Sequence, residues 1–272
     1  DDIKLTQRLE QIFKKLGYKQ NPVVMSLPRS KTTSRCLKVP TAVGQEIENI
    51  VSLQAPRYLP YPANELISAY QVIQTDKAGF TDVNIVVVHK DIIQRYIKIL
   101  KGLQITRLSV VLSSYGLVNF YHYLEPKERG AVMVIDIDAH QTQVVIASGK
   151  KLLFSRYFKL DKSQPNWEEL FIEEIRKTKD TYMTKETPKE IPGKIVFLNA
   201  GNISGQLEEA LRKETDLPLE AVSYADKIGL RPDLINSILN SDNSFSSLFG
   251  LGLENIEESL NLLPYDIRET YK

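Results

Sequence analysis

Residues 131–158 read AVMVIDIDAHQTQVVIASGKKLLFSRYF, and their pattern decides the fold. Ala131 to Ile137, Gln143 to Ala147 and Leu152 to Phe158 are apolar or alternating runs joined by a short turn and by Ser148-Gly149-Lys150. Such spacing predicts three strands in an antiparallel meander. Asp136, Asp138 and His140 stand at spacing two, so on an extended chain they share a face. Three such side chains could hold Mg²⁺ or Mn²⁺, and an apolar strand ending in D-x-D also fits phosphatases whose first Asp is a nucleophile. In those enzymes the motif feeds a loop and a helix, whereas here the chain turns straight back into Thr142 to Ala147. The hairpin argues against the nucleophile and for a bend whose backbone N–H groups could receive a phosphate.

Upstream of Gly130 the chain opens in an amphipathic helix through Leu5, Leu9, Ile12, Phe13 and Leu16, stopped at Gly17. Strands are expected at Val23 to Leu27 and 31 to 39, a helix at 43 to 55, strands at Leu66 to Gln74 and Val83 to His89, and a helix carrying Ile92, Ile93, Tyr96, Ile97 and Leu100. These make a β-β-α-β-β-α unit over 22 to 103. Leu108 to Leu112 reads as a buried strand leading into a helix through Leu117, Phe120, Tyr121 and Leu124. Downstream of the meander, a helix is expected at 167 to 181, a strand at Lys194 to Leu198, a helix with Leu207, Ala210 and Leu211 on one face, and a small-residue helix from Phe245 to Asn255. Leu198-Asn199-Ala200-Gly201-Asn202-Ile203-Ser204-Gly205 is a strand, a small-residue bend and a helix start, a place for a phosphate or a plain capped turn.

The 272 residues carry 35 Lys+Arg against 34 Asp+Glu, a balance that gives no reason to expect nucleic acid as partner. Hydrophobic residues make up 42% and charged ones 25%, an ordinary globular composition able to bury a core. Cys36 is the one cysteine, which excludes an internal disulfide and fits a reducing compartment. No run approaches the roughly 18 apolar residues of a membrane span. His89 and His122 lie far from any acid or nucleophile motif, and the Ser in Gly201 to Gly205 is displaced by one position from a nucleophile elbow, so no catalytic triad assembles.

The segments VVMSLPRSKTTSRCLKVP (23–40), EIENIVSLQAPRYLPYPANEL (46–66), VIDIDAHQTQVVIASGKKLLFSRYFKL (134–160), FLNAGNISGQLEEAL (197–211), FSSLFGLGL (245–253) and NLLPYDIR (261–268) follow in an order that is more specific than any one of them. Together they resemble the PilM family, the actin-like proteins of type IV pilus assembly related to FtsA, and the cytoplasmic part of GspL in type II secretion. The resemblance implies an α/β, actin-like (ribonuclease H-like) ATPase fold with an inserted 1C-type β/α subdomain, in which Lys194 to Leu198 lies beside the meander. It places 1–21 as a remnant of subdomain 1A, 22–103 as the 1C-like unit and 104–130 as a 1A strand and helix. Residues 131–258 become subdomain 2A with a reduced 2B and a final helix, and 259–272 a juxtamembrane tail. The family's first phosphate loop, a D-x-G strand pair, would fall ahead of Asp1, so the first phosphate-loop strands are expected to be missing here.

In this family the nucleotide would meet Asp136, Asp138, Ala139 and Thr142 in the second phosphate loop and Ala200, Gly201 and Asn202 in the later bend. Where D-I-G is expected the chain has Asp136-Ile137-Asp138, which replaces the glycine that lets backbone approach a polyphosphate by a carboxylate that repels it. Ala200 stands where a double glycine begins. The expectation is a scaffold that does not hydrolyse ATP and needs no cofactor. The alternatives are an active actin-like ATPase using ATP and Mg²⁺, and a metal-dependent phosphotransferase using Asp136 and Asp138.

The resemblance also implies partners. Family members grip a short N-L-L-P segment of the membrane protein PilN, and here Asn261-Leu262-Leu263-Pro264 belongs to the same chain. The expectation is a PilM–PilN-type fusion, or a GspL-like arrangement, whose tail docks in a groove between subdomains 1A and 1C or merely covers the last helix. The remaining implications are PilO-like and PilN-like inner-membrane partners, cytoplasmic pilus or secretion motor components, self-association, and a place on the cytoplasmic face of a bacterial inner membrane.

Overall fold

A computed structural model describes residues 2–139, 141–161, 163–184, 190–198, 204–222, 224, 227–239, 241–253 and 260–271. The meander forms as expected: β6 (Ala131–Ile137), β7 (Thr142–Ser148) and β8 (Lys151–Phe158) pair antiparallel in sequence order. Beside β6, and parallel to it, lies β9 (Ile195–Leu198), followed by β10 (Leu219–Val222), giving a five-stranded sheet ordered β10-β9-β6-β7-β8. Every residue of β6 is buried, because the sheet is covered on both faces. Met133, Ile135, Val144, Ile146 and Phe197 face α5 (Trp167–Met183) and α6 (Gly205–Thr215), which contribute Phe171, Ile175, Leu207 and Leu211. Val132, Val134, Val145 and Val196 face the opposite way, into a core shared with the first lobe.

That first lobe is built on β1 (Val23–Leu27) and β5 (Leu108–Leu112), which pair parallel in register Val23 to Leu108. The six-element unit expected over 22 to 103 therefore divides. Its first strand leaves for β5, and the inserted sheet has three strands, β2 (Thr33–Val39), β3 (Leu66–Thr75) and β4 (Thr81–His89), in the order β2-β4-β3. Apolarity identifies β1 as a strand, half-buried except at Leu27, but carries no information on its neighbour. Over one face of the inserted sheet lies α2 (Gly44–Gln54), packing Ile47 and Val51 on Val39, Val83, Ile85 and Val87. The opening helix α1 (Asp2–Lys15) packs Leu9 and Phe13 beside α3 (Lys90–Leu100) at the rim of the larger core.

Two helices join the halves. From β5 the chain passes directly into α4 (Ser113–Leu124), and after α7 (Pro232–Leu239) comes α8 (Ser246–Leu253), which crosses α4. The crossing is backbone on backbone: a Cβ at Gly250 would collide with the Gly116 carbonyl, and one at Gly116 with the Ser247 carbonyl. Both positions are glycine because no side chain fits between the helices. The short helix α9 (Tyr265–Arg268), continued by a 3-10 turn at Glu269–Tyr271, follows a tail segment in which Leu262 and Leu263 are 0% and 1% exposed.

Three side chains of the inserted region cap the free edge of β8. Gln71 Nε2 donates to Lys150 O at 3.1 Å, and its Oε1 accepts from Leu152 N at 2.8 Å. Cys36 Sγ donates to Leu153 O at 3.0 Å. Arg29, just past β1, donates to Ser155 Oγ at 2.8 Å and to Ser155 O at 3.3 Å. Burial and the nearby Arg35 charge pull the Arg29 pKa down to about 10, so this guanidinium stays charged and is held by neutral acceptors. An exposed sheet edge is thereby closed without a sixth strand.

Candidate functional site

Strand β6 delivers Asp136 to the junction between the lobes, where it is 5% exposed. Its Oδ1 accepts from Ser244 Oγ at 2.5 Å, and Ser246 N donates to Ser244 Oγ at 3.2 Å. Burial pushes the Asp136 pKa up to about 6, the Asp138 charge adding to the rise and the serine hydroxyls opposing it. One strand over, Gln143 is held at both ends of its amide: Ser113 Oγ donates to Oε1 and Nε2 donates to Ser114 Oγ, each at 2.9 Å.

Asp138 lies just past the strand end, in a turn closed by Asp138 N donating to Gln141 O at 2.9 Å. Its carboxylate takes the Ala139 N–H at 2.6 Å. Thr142 is buried where β7 starts, paired with Ile137. Ala200, Gly201 and Asn202, like His140, lie outside the described residues. The strand ahead of them, β9, aligns Leu198 with Asp136.

Around Asp136, Asp138, Ser113, Gln143 and Ser244 there is a cavity of about 130 Å³, well below the roughly 300–1,000 Å³ usual for small-molecule sites. Its lining includes two carboxylates and no Lys or Arg among the described residues. An amide that could have received an anion is taken up by Asp138 itself. The described lining does not suit a polyphosphate. Among the described residues no group of three His, Cys, Asp or Glu side chains could hold a metal ion.

The tail makes the second site. Leu262 N donates to Val110 O at 2.7 Å, and Asn261 Oδ1 accepts from Val110 N at 3.0 Å. Val23 N donates to Arg107 O on the other side of β5. Alternation along a strand therefore turns the Val110 amide and carbonyl away from β1, and the tail takes that edge. Asn261 Oδ1 also accepts from Leu263 N at 3.1 Å, fixing the local turn. Arg268 reaches back from α9, Nε to Leu263 O at 2.9 Å and Nη2 to Asn261 O at 2.6 Å. Leu260, Leu262 and Leu263 enter the core that holds β5, α4 and α8. Pro264 is buried and starts α9 by accepting from Ile267 N and Arg268 N. Between the tail and the inserted unit runs a groove of about 530 Å³, lined by Val51, Leu66, Tyr70, Lys90, Pro264 and Arg268 among others.

Ser113, Gln143 and Ser244 at the cleft, and Val110 and Arg268 at the tail, are additions to the residues marked by motif. Their partners lie 30, 108 and 151 residues away in sequence for the Ser113, Ser244 and Val110 bonds. Only Arg268, one helical turn past Pro264, carried a local signal.

Residues 1–166 match the model of a family described as type IV pilus assembly protein PilM. A comparison with curated protein sequences finds no match. Among solved structures, the chain is similar to the PilM-PilN type IV pilus biogenesis complex, with a TM-score of 0.71 and 17% identity over 92% of this chain and 84% of that one. A Bacteroides thetaiotaomicron protein with an actin-like ATPase fold aligns with a TM-score of 0.48 and 13% identity, covering 92% and 82% of the two chains. The cytoplasmic domain of EpsL, an inner-membrane component of the Vibrio cholerae type II secretion system, aligns with a TM-score of 0.46 and 10% identity, covering 77% and 79%. With the meander, its parallel neighbour β9 and the crossing helices in place, and the family match spanning residues 1–166, the chain belongs to the PilM family of type IV pilus assembly proteins and has their actin-like fold.

Proposed function

We propose that this protein is a scaffold of a pilus-type inner-membrane assembly platform, located on its cytoplasmic face, which holds its own PilN-like segment and does not hydrolyse ATP. The observation that carries the reading is the docking of Asn261, Leu262 and Leu263 on Val110. Both leucines are buried, the backbone of β5 is paired, and Pro264 limits the freedom of the chain that follows, which lowers the entropy lost on docking. A similar solved structure is that of a PilM-PilN complex; in this chain the PilN-like segment is covalently attached, so its effective concentration is set by the connection rather than by free protein. PilO-like proteins and motor components are the further partners such a scaffold would link. The Asp138 carboxylate supports the non-catalytic half of the reading, since it opposes phosphate at the loop that would receive it.

A synthetic peptide of residues 260–268, LNLLPYDIR, tests the docking. Added to a full-length chain carrying Leu262→Asp and Leu263→Asp, it is expected to bind, whereas the unaltered chain, its site filled, does not. Equal binding to both, or none to the substituted chain, overturns the docking reading. Calorimetric titration with Mg-ATP tests the other half: micromolar or tighter binding followed by phosphate release overturns it.

A further inference from the structure

The polar side chains at the junction between the lobes satisfy one another across it. Asp136 and Gln143 come from β6 and β7 of the five-stranded sheet, while Ser244, Ser246, Ser113 and Ser114 come from the starts of α8 and α4. Asp136, Gln143, Ser113, Ser114 and Ser246 are each 6% exposed or less, a density of buried polar groups that is stable only when each has a partner. The two helix starts cannot shift independently, because Gly116 and Gly250 lock α4 to α8 within their first turns. Both helix ends are therefore carried as one unit, and this unit meets the β6–β7 hairpin at two of its side chains, Asp136 and Gln143, through three hydrogen bonds.

We propose that this network is a polar staple which closes the junction from within, using the chain's own side chains in the place where the cleft opens, so that closure requires no bound ligand. The staple has two arms. One is Ser244 donating to Asp136, a bond strengthened by the carboxylate charge. The other is Gln143, whose amide accepts from Ser113 and donates to Ser114, so a single side chain fixes the α4 start in two directions. Cutting the Gln143 arm leaves a buried amide without its partners, which is more damaging than the loss of the bonds alone, and cutting the Ser244 bond leaves the buried Asp136 with the Ser246 hydroxyl in its place. The cleft is small because these side chains fill it, about 130 Å³ remaining between them. At the neighbouring edge of the sheet, the caps on β8 from Gln71 and Arg29 do not involve the staple and keep the inserted unit in place when it is cut. The staple is independent of the docked tail and of the pilus role, either of which could fail while it stands.

Hydrogen exchange of the full chain, without nucleotide, tests it. Ser244→Ala and Gln143→Leu are each expected to speed exchange about ten- to hundredfold at the first-turn amides of α4 and α8 and at Asp138, Ala139 and Gln141, leaving the β7–β8 ladder unchanged. Ser244→Thr, which keeps the hydroxyl, is expected to exchange as the unaltered chain does. If Gln143→Leu does not fold, Ser113→Ala with Ser114→Ala removes the same partners without adding bulk and is read at the same amides. Unchanged exchange at those amides overturns the staple. So does an equal acceleration throughout the chain, which would make these side chains contributors to overall stability rather than a closure.

Discussion

Leu262 gives its backbone N–H to the Val110 carbonyl at 2.7 Å, while the Val110 N–H is taken by the side chain of Asn261. One residue of β5 is thereby paired on the edge opposite β1 by a segment more than 140 positions away in sequence, and the leucines that follow are sealed in the core.

Leu262→Ala removes a side chain that is 0% exposed and is expected to destabilise the fold by about 2–5 kcal/mol. Tyr265→Ala, at a position 73% exposed, is expected to change stability by less than about 0.5 kcal/mol. Urea unfolding of both variants provides the comparison, and similar midpoints for the two would mean that the tail is not part of the core.

Gly250→Ala forces a methyl group into the Gly116 backbone, so α4 and α8 must separate. A loss of about 3 kcal/mol or more, or failure to fold, is expected. Gly252→Ala, two residues along and with nothing within 4 Å of the added carbon, is expected to be neutral or to stabilise by up to about 1 kcal/mol through helix propensity. Thermal unfolding of the pair separates close packing from helix propensity.

Asp136 binds its proton near pH 6 when folded and near 3.8 in its ordinary state. Between those values the folded chain holds more protons than the unfolded one, so this residue's contribution to stability grows as pH falls through the window and is lost as pH rises past about 6. The full contribution is about 3 kcal/mol. Unfolding free energies at pH 7.5 and pH 4.5, for the native chain and for Asp136→Asn, give the check. The native chain is expected to gain on the variant at the lower pH; a parallel response would place Asp136 in a wetter setting than its burial indicates.

Gln71→Ala strips two bonds from the edge of β8. A loss of about 1–3 kcal/mol is expected, together with faster exchange of the Leu152 amide. An unchanged Leu152 amide would mean that the inserted unit shields β8 without help from this side chain.

The meander was legible because its signals are local: each strand is an apolar run bounded by its own turn, and the hairpin follows from 131–148 alone. Strand β1 was equally visible, but its pairing with β5 spans more than 80 residues, and no local pattern distinguishes that partner from β2. Strand β10 carries little sequence signal, having only Leu219 and Val222 buried, whereas helix α7 has a readable one in Pro232 at its start and Leu234, Ile235 and Ile238 at helical spacing. At the cleft, Asp136 stood out as an acid in an apolar strand, whereas Ser244 looked like one more polar residue in Ser241-Asp242-Asn243-Ser244 until the fold brought them together. The tail leucines carried both their sequence signal and their burial, because the four residues of Asn261 to Pro264 form a complete docking unit.

The most direct measurement is the exchange rate of the Leu262 amide in the intact protein, resolved by nuclear magnetic resonance alongside Val110 and its neighbours in β5. A tail seated in its own first lobe predicts that Leu262 and Val110 exchange together and as slowly as the β5 amides bonded to β1. Exchange of Leu262 at the rate of a free peptide, with Val110 unprotected, would contradict it.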